Sequence, residues 1–188
     1  TTTVQNCLMY DNNTNYSSTL SSGMIHNVTG TLNVYNCTIT ENTETGTYAA
    51  DLYISSGTAS IYNCIIFNNQ GTDAVYEGTA TVGLHYSLYE TGTSGTITTS
   101  NNLTNSDVDP IFMDTSTDNF KISAISPALD AGDETSMPTI DINEIARGSS
   151  GVNTQSTYDM GCYENECVPG TYYVNDASTT GDVWVTAV

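Results

Sequence analysis

Basic residues are almost missing: Lys and Arg together number 2, against 21 Asp and Glu, leaving a net charge of −19 over 188 residues. Such a surface repels phosphate backbones and anionic lipid, so nucleic-acid binding is excluded as a working class. Long apolar runs are missing too. No stretch of about 18 apolar residues occurs, and residues 1–20 contain neither a basic n-region nor an apolar h-region, so no membrane insertion and no signal peptide are expected. There is no CxxC pair and no His cluster, which removes the usual zinc arrangements. No 3.6-residue apolar period is long enough for a helix. The five cysteines are odd in number and do not form a secreted disulfide framework.

What the chain does contain is internal repetition. Val4-Gln5-Asn6-Cys7-Leu8-Met9-Tyr10 aligns with Val34-Tyr35-Asn36-Cys37-Thr38-Ile39-Thr40 and with Ile61-Tyr62-Asn63-Cys64-Ile65-Ile66-Phe67. A degenerate copy at Val82–Leu88 places Ser87 at the cysteine position. The spacings are 30, 27 and 23 residues. Each unit has a second Thr-rich, β-branched run before the Asn-Cys pair. Gly30, Gly57 and Gly78 precede these runs, where a positive φ is expected at the turn. Units this short, built of strands and turns, predict an all-β solenoid, a right-handed parallel β-helix with an irregular closing region.

Stacking successive coils about 4.8 Å apart would bring Asn6, Asn36 and Asn63 into one column, predicting coil-to-coil amide hydrogen bonds, an asparagine ladder. Cys7, Cys37, Cys64 and Ser87 would form the neighbouring column of small buried side chains. Reduced thiols are expected there, with a local Cys162–Cys167 bridge as an alternative in an oxidising compartment. The expected organisation is coils over 1–105, a closing region over 106–166, and a linker with the first strand of a following domain over 167–188.

After residue 105 the repeat gives way to Asp109-Pro110-Ile111-Phe112, then Ser126-Pro127-Ala128-Leu129-Asp130-Ala131-Gly132-Asp133, then Asp159-Met160-Gly161-Cys162-Tyr163-Glu164. This ordered series resembles the closing region of bacterial secreted parallel β-helix proteins of the choice-of-anchor Q group, with a pectate-lyase-like superfamily fold. The resemblance covers roughly residues 1–166. It implies export and display at the cell surface, in many such bacteria by the type IX route, and it implies no particular reaction. Tyr172-Tyr173-Val174-Asn175-Asp176-Ala177-Ser178 resembles the entry strand of a further β-helix domain, so the chain reads as a piece of a longer tandem polypeptide.

The chemistry-bearing residues are few. A lyase needs a basic residue in the coil groove, yet Lys121 and Arg147 both lie outside the coils. A glycoside hydrolase needs two carboxyl groups about 5–9.5 Å apart. The coil acids Asp11, Glu41, Asp51, Asp73, Glu77 and Glu90 occupy non-equivalent places in the repeat. Arg147 is expected in a structural ion pair with a carboxylate of the Ser126–Asp133 or Asp159–Glu164 segments, Asp130 and Asp159 being the candidates singled out, pinning the closing region to the coils. Asp107, Asp109, Asp114 and Asp118 form an oxygen-rich loop without EF-hand spacing, a candidate Ca2+ site beside the reading of a solvated loop. No other cofactor is expected.

Tyr10, Tyr16, Tyr35, Tyr53 and Tyr62 offer stacking faces to glycans or surface ligands. The preferred reading is therefore a non-enzymatic stalk, adhesin or filament segment of an extracellular bacterial surface protein, joined to neighbouring copies or domains of the same polypeptide. The alternative is a carbohydrate-active enzyme on the same fold.

Overall fold

The structure is a computed structural model, describing residues 1–15, 21–45, 48–90, 92–104, 109–135, 137–148, 158–165, 171–172 and 185–186. Among the described residues there is no α-helix, and no helix long and apolar enough to cross a membrane. The chain makes five passages through short strands. The first comprises β1 (Thr2–Gln5), β2 (Leu8–Tyr10), β3 (Asn13–Asn15), β4 (Ser21–Ser22) and β5 (Ile25–Asn27). The second comprises β6 (Thr31–Tyr35), β7 (Thr38–Thr40), β8 (Thr43–Thr45) and β9 (Tyr48–Ile54). The third has β10 (Thr58–Tyr62), β11 (Ile65–Phe67) and β12 (Asp73–Glu77). The fourth has β13 (Thr81–His85), β14 (Leu88–Tyr89) and β15 (Gly92–Ser94). The last has β16 (Ile97–Ser100) and β17 (Leu103–Thr104).

Corresponding strands of successive passages pair in parallel. One sheet runs β1-β6-β10-β13-β16, a second β2-β7-β11-β14-β17, and a third β4-β9-β12-β15 with β5 also on β9. This all-β, mostly parallel arrangement is compatible with a solenoid. The in-register repeats make the interior: Val4, Val34, Ile61 and Leu84 align in the first sheet, and Met9, Ile39, Ile66 and Tyr89 in the second. Ile25, Leu52 and Val75 align in the third. Most of these side chains are fully buried in one cluster.

The repeated Asn-Cys pair is the corner between the first two sheets. Asn6, Asn36 and Asn63 have φ of 51°, 49° and 54°, and Tyr86 and Asn101 hold the same conformation in the later passages. Asn tolerates this left-handed region better than most residues, which explains its recurrence. The backbone ladder continues through the turn: Asn36 N–H donates to Tyr62 O at 3.0 Å, and Ile65 N–H to Cys37 O at 2.9 Å. The next position in each coil faces inward, placing Cys37, Cys64 and Ser87 in the interior.

The side chains of Asn6, Asn36 and Asn63 do not bond to one another as expected. They point outward, away from the coil interior, and dock the closing region. The amide column lies instead at the second corner, after the positive-φ residues Asp11, Glu41 and Asn68. Asn42 Oδ1 accepts from both Asn12 N–H (3.0 Å) and Asn12 Nδ2 (2.9 Å), and Asn69 Oδ1 accepts likewise from Asn42 (2.9 and 3.0 Å). Asn42 Nδ2 also donates to Met9 O, and Asn69 Nδ2 to Ile39 O, both at 3.0 Å. Each amide thus satisfies backbone groups of neighbouring coils that the turn would otherwise leave unpaired.

Gly30 and Gly57 have φ of 91° and 89°, as expected at these turns. Gly78 differs. Its φ is not positive, and its lack of a side chain serves close approach, since a Cβ there would fall 2.6 Å from Ser55 O.

The closing region starts with an antiparallel hairpin, β18 (Phe112–Asp114) and β19 (Asn119–Ile122). It lies along the outer face of the second sheet. Ile65 and Leu88 pack there with Ile122, Ala128 and Met160, flanked by Phe67, Leu103 and Phe112. Thr171–Tyr172 pairs antiparallel with Val185–Thr186. Most of the expected entry strand lies outside the described residues.

Asn42 is fully buried and its amide makes four of the ladder's bonds, so Asn42→Ala should lower unfolding free energy by about 2–4 kcal/mol, because buried backbone partners lose their mates. Asn12→Ala, at the exposed end of the column, should cost about 1 kcal/mol or less. Urea unfolding of the two variants checks the order.

Candidate functional site

The densest polar constellation is the latch between the corner asparagines and the closing region. Asn6 Nδ2 donates to Ile140 O at 2.8 Å, Asn36 Nδ2 to Asp159 O at 3.4 Å, and Asn63 Nδ2 to Asp133 O at 2.7 Å. Asp133 N–H returns a bond to Asn63 Oδ1 at 2.8 Å, and Cys162 N–H donates to Thr38 Oγ1 at 3.1 Å. Gly161 sits against the coil with φ of 93°. A Cβ there would fall 2.8 Å from both Ile65 Cδ1 and Thr38 Oγ1, so only glycine fits.

Arg147 holds the centre of the latch. Its carboxylate partner is Glu164, with Nη1 3.1 Å from Oε2 and both side chains almost wholly buried. The expected partners take other roles. Arg147 bonds to the Asp159 backbone oxygen (3.3 Å), not to its carboxylate, and also to Gly161 O (3.0 Å) and Asn6 Oδ1 (3.2 Å). The Asp159 carboxylate accepts instead from Asp130 N–H (2.7 Å) and Asn165 N–H (2.6 Å). Asp130 thus meets Asp159 through its backbone. The guanidinium spans two chain segments because it has more donors than one carboxylate uses.

Burial and the neighbouring Glu164 charge raise the Asp159 carboxyl to about 7. Burial also raises Glu164, with Arg147 and backbone donors opposing.

A second acid pair has no equivalent in the repeat. Glu44 on β8 and Asp51 on β9 are both buried, and burial raises both; Glu44 lifts Asp51 further, while Asp51 pulls Glu44 back down. Asp51 is therefore the member of the pair that keeps its proton to higher pH. With exposures of 3% and 1% they cannot reach a polysaccharide, so they do not supply a hydrolase pair.

The acidic loop residues serve their own backbone. Asp109 Oδ1 accepts from Ile111 N–H at 2.7 Å. Asp114 caps the short turn Thr115–Thr117, accepting from Ser116 N–H at 3.1 Å, and Asp118 closes it with φ of 58°. Asp107 lies outside the described residues. Among the described residues, no three His, Cys, Asp or Glu side chains converge on a metal position.

Cys7, Cys37 and Cys64 are free thiols donating to backbone carbonyls, for example Cys37 Sγ to Tyr35 O at 3.3 Å. Ser87 Oγ accepts from Cys64 N–H at 3.0 Å, and Asn102 Oδ1 accepts from Ser87 N–H at 2.9 Å, extending that column by one more coil. Cys162 is also free and buried, its thiol raised by burial to about 12. Cys167 lies outside the described residues.

The described tyrosines meet other rings in several geometries. Tyr53 and Tyr76 are parallel within 4°, with centroids 5.0 Å apart, and His26 meets Tyr53 edge-on at 4.9 Å. Tyr35, Tyr62 and His85 form a second column, and Tyr10 packs on Phe120. Tyr53 and Tyr76 therefore occupy one face of each other, while Tyr35 and Tyr62 meet edge to face. Tyr16 lies outside the described residues.

Set against family models, curated proteins and solved structures, the chain matches none.

Arg147→Met should cost about 3–5 kcal/mol, because it strands Glu164 as a buried charge. Adding Glu164→Gln should recover part of that loss. An equal or larger loss in the double variant would contradict the pairing.

Stability should also fall with rising pH. The folded Asp159 keeps its proton to about pH 7, against an ordinary value of 3.8. Its contribution is therefore complete below the ordinary value and disappears as pH rises through about 7. Glu44, Asp51 and Glu164 shift in the same direction. Asp51→Asn should flatten the profile and raise stability in the alkaline range, as read from urea midpoints across pH.

Proposed function

We propose that the chain is a right-handed parallel β-helix serving as a non-enzymatic structural segment of a long extracellular bacterial surface protein, a stalk, adhesin or filament repeat. The observation that carries this reading is the polar chemistry of the corners. Asn12, Asn42 and Asn69, the outward Asn6, Asn36 and Asn63, and the buried Arg147–Glu164 pair all bond protein to protein. These polar groups are spent on holding coils to coils and coils to closing region.

A rod held by axial ladders resists extension and bending, and the acidic surface opposes lateral association. Neighbouring domains of the same polypeptide are the natural partners at either end, and cell-surface display fits the resemblance of the closing motifs. Glycan binding is a secondary part of this proposal, since one face each of Tyr53 and Tyr76 is already taken by the other ring, and Ca2+ binding is the weaker part, since Asp109 and Asp114 already hold backbone donors.

Incubation of the purified segment with pectic, uronic and neutral polysaccharides should release no new reducing ends and no unsaturated products. Either product would replace this reading with a carbohydrate-active enzyme. An antibody to the segment should label intact cells of the organism that encodes it, and labelling only after lysis would contradict surface display.

A further inference from the structure

The seam between the closing region and the coils is rich in acid and thinly bonded. Asp130, Asp141, Asp159 and Glu164 are each 6% exposed or less, and Arg147, equally buried, is the one cation among them. Lys121, the other basic residue of the chain, stands over the Tyr163 ring at 5.9 Å. Four buried carboxyls thus face one guanidinium, and Glu164 holds it. Carboxyls in excess of their cations are tolerated in such a place when protonated and costly when ionised.

Facing Asp159 are Glu164 and Asp130, and Asp141 stands behind Glu164, accepting its N–H at 3.0 Å. Cys162 and Tyr163 beside them stay neutral, since burial raises both. From the coils comes Asn36, an uncharged amide donating to the Asp159 backbone oxygen. The bonds across the seam rely on side chains: among the described residues, Gly161 N–H to Asn63 O at 2.8 Å is the one backbone-to-backbone bond. Asn36 Oδ1 and Arg147 Nε, both buried there, have no partner within the protein. Undocking hydrates both atoms, whereas opening the coils breaks the backbone ladders of three sheets. The seam is the weaker joint.

We infer that the closing region is a pH-released clamp: as its buried carboxyls ionise it leaves the coils while the three sheets stay folded, uncovering the outer face that carries Ile65 and Leu88. Asp159 sets the direction. Burial, with the Glu164 and Asp130 charges, raises its carboxyl to about 7 from an ordinary 3.8. Docking is therefore firmest below the ordinary value and weakens as pH rises through about 7. Each further pH unit multiplies undocking about tenfold for one such group. The clamp does not rest on the mechanical role, since an enzyme built on the same coils would release it equally.

Cys162 is the reporter. It is wholly buried, with its N–H on Thr38, while Cys37 and Cys64 are wholly buried inside the coils. The 188-residue chain is pulsed with a methanethiosulfonate reagent at about pH 5.5 and about pH 8.5, on either side of the Asp159 value. Mass spectrometry assigns the label to each cysteine, and rates are taken relative to the urea-unfolded chain at the same pH. Labelling of Cys162 should rise at least about tenfold between the two, with Cys37 and Cys64 protected at both. Asp51→Asn, which removes a buried acid of the coils, should leave that rise intact. Asp159→Asn should lose most of it, whatever level it starts from. The inference fails if Cys162 stays protected at the higher pH, or if Asp159→Asn keeps the parent's rise. It fails also if Cys37 and Cys64 label in step with Cys162, which is unfolding of the whole chain.

Discussion

A chain that turns a corner every few residues must keep its backbone groups bonded while leaving the strand conformation, and the rest of this structure depends on how that is done. Both described corners use one device: a residue of positive φ, followed by one whose side chain faces inward. Where the inward residue is Asn, its amide accepts a backbone N–H from the preceding coil and donates to a backbone carbonyl of that same coil: Asn42 takes Asn12 N–H and gives to Met9 O, and Asn69 takes Asn42 N–H and gives to Ile39 O. Cysteine can do less, offering a weak donor to a carbonyl and a small volume that the narrow interior accepts. The three sheets, their registers and the apolar columns follow once the corners are fixed.

The outward-facing amides of the first corner then do a different job. They are held at regular intervals along one flank, and the closing region uses each in turn: Ile140 at Asn6, Asp159 at Asn36, Asp133 at Asn63. Apolar contact beside them comes from residues that strand alternation places on the outer face. Ile65 and Leu88 would be unusual on a solvated sheet but are ordinary beneath Ile122 and Met160. The Arg147–Glu164 pair is buried by the same docking. An ion pair of this kind contributes little net stability, yet it penalises any arrangement in which one partner is left alone. It therefore specifies the docking more than it strengthens it.

Much of this was legible in the residues. β-branched runs, glycine spacing and the recurring Asn-Cys pair were enough to read an all-β chain whose repeats pair in parallel and in register. The role of the asparagines was harder to read, because Asn recurs for two unrelated reasons, tolerance of positive φ and amide bonding. The ladder's own signal was present: Asn12, Asn42 and Asn69 each stand five residues after Cys7, Cys37 and Cys64. The pairing of Arg147 with Glu164 rather than Asp130 or Asp159 depends on the path of a segment without repeat or regular strand, which local spacing does not encode. The Glu44–Asp51 pair was hidden for a similar cause, since acids at non-equivalent positions look like surface residues until burial is known.

The closing region also changes how the coils depend on one another. In a simple solenoid each repeat touches only its neighbours, and stability is a sum of local terms. Here one docked segment bonds to Asn6 in the first passage and Asn63 in the third, and packs on Leu103 in the last. Opening any of these coils disturbs a surface that the others share, so the docked segment couples positions that the sheets link only stepwise. The molecule gains cooperativity along its axis from an element lying outside its sheets, and Gly161, closely fitted against Ile65 and Thr38, is one point where that element presses directly on the coils.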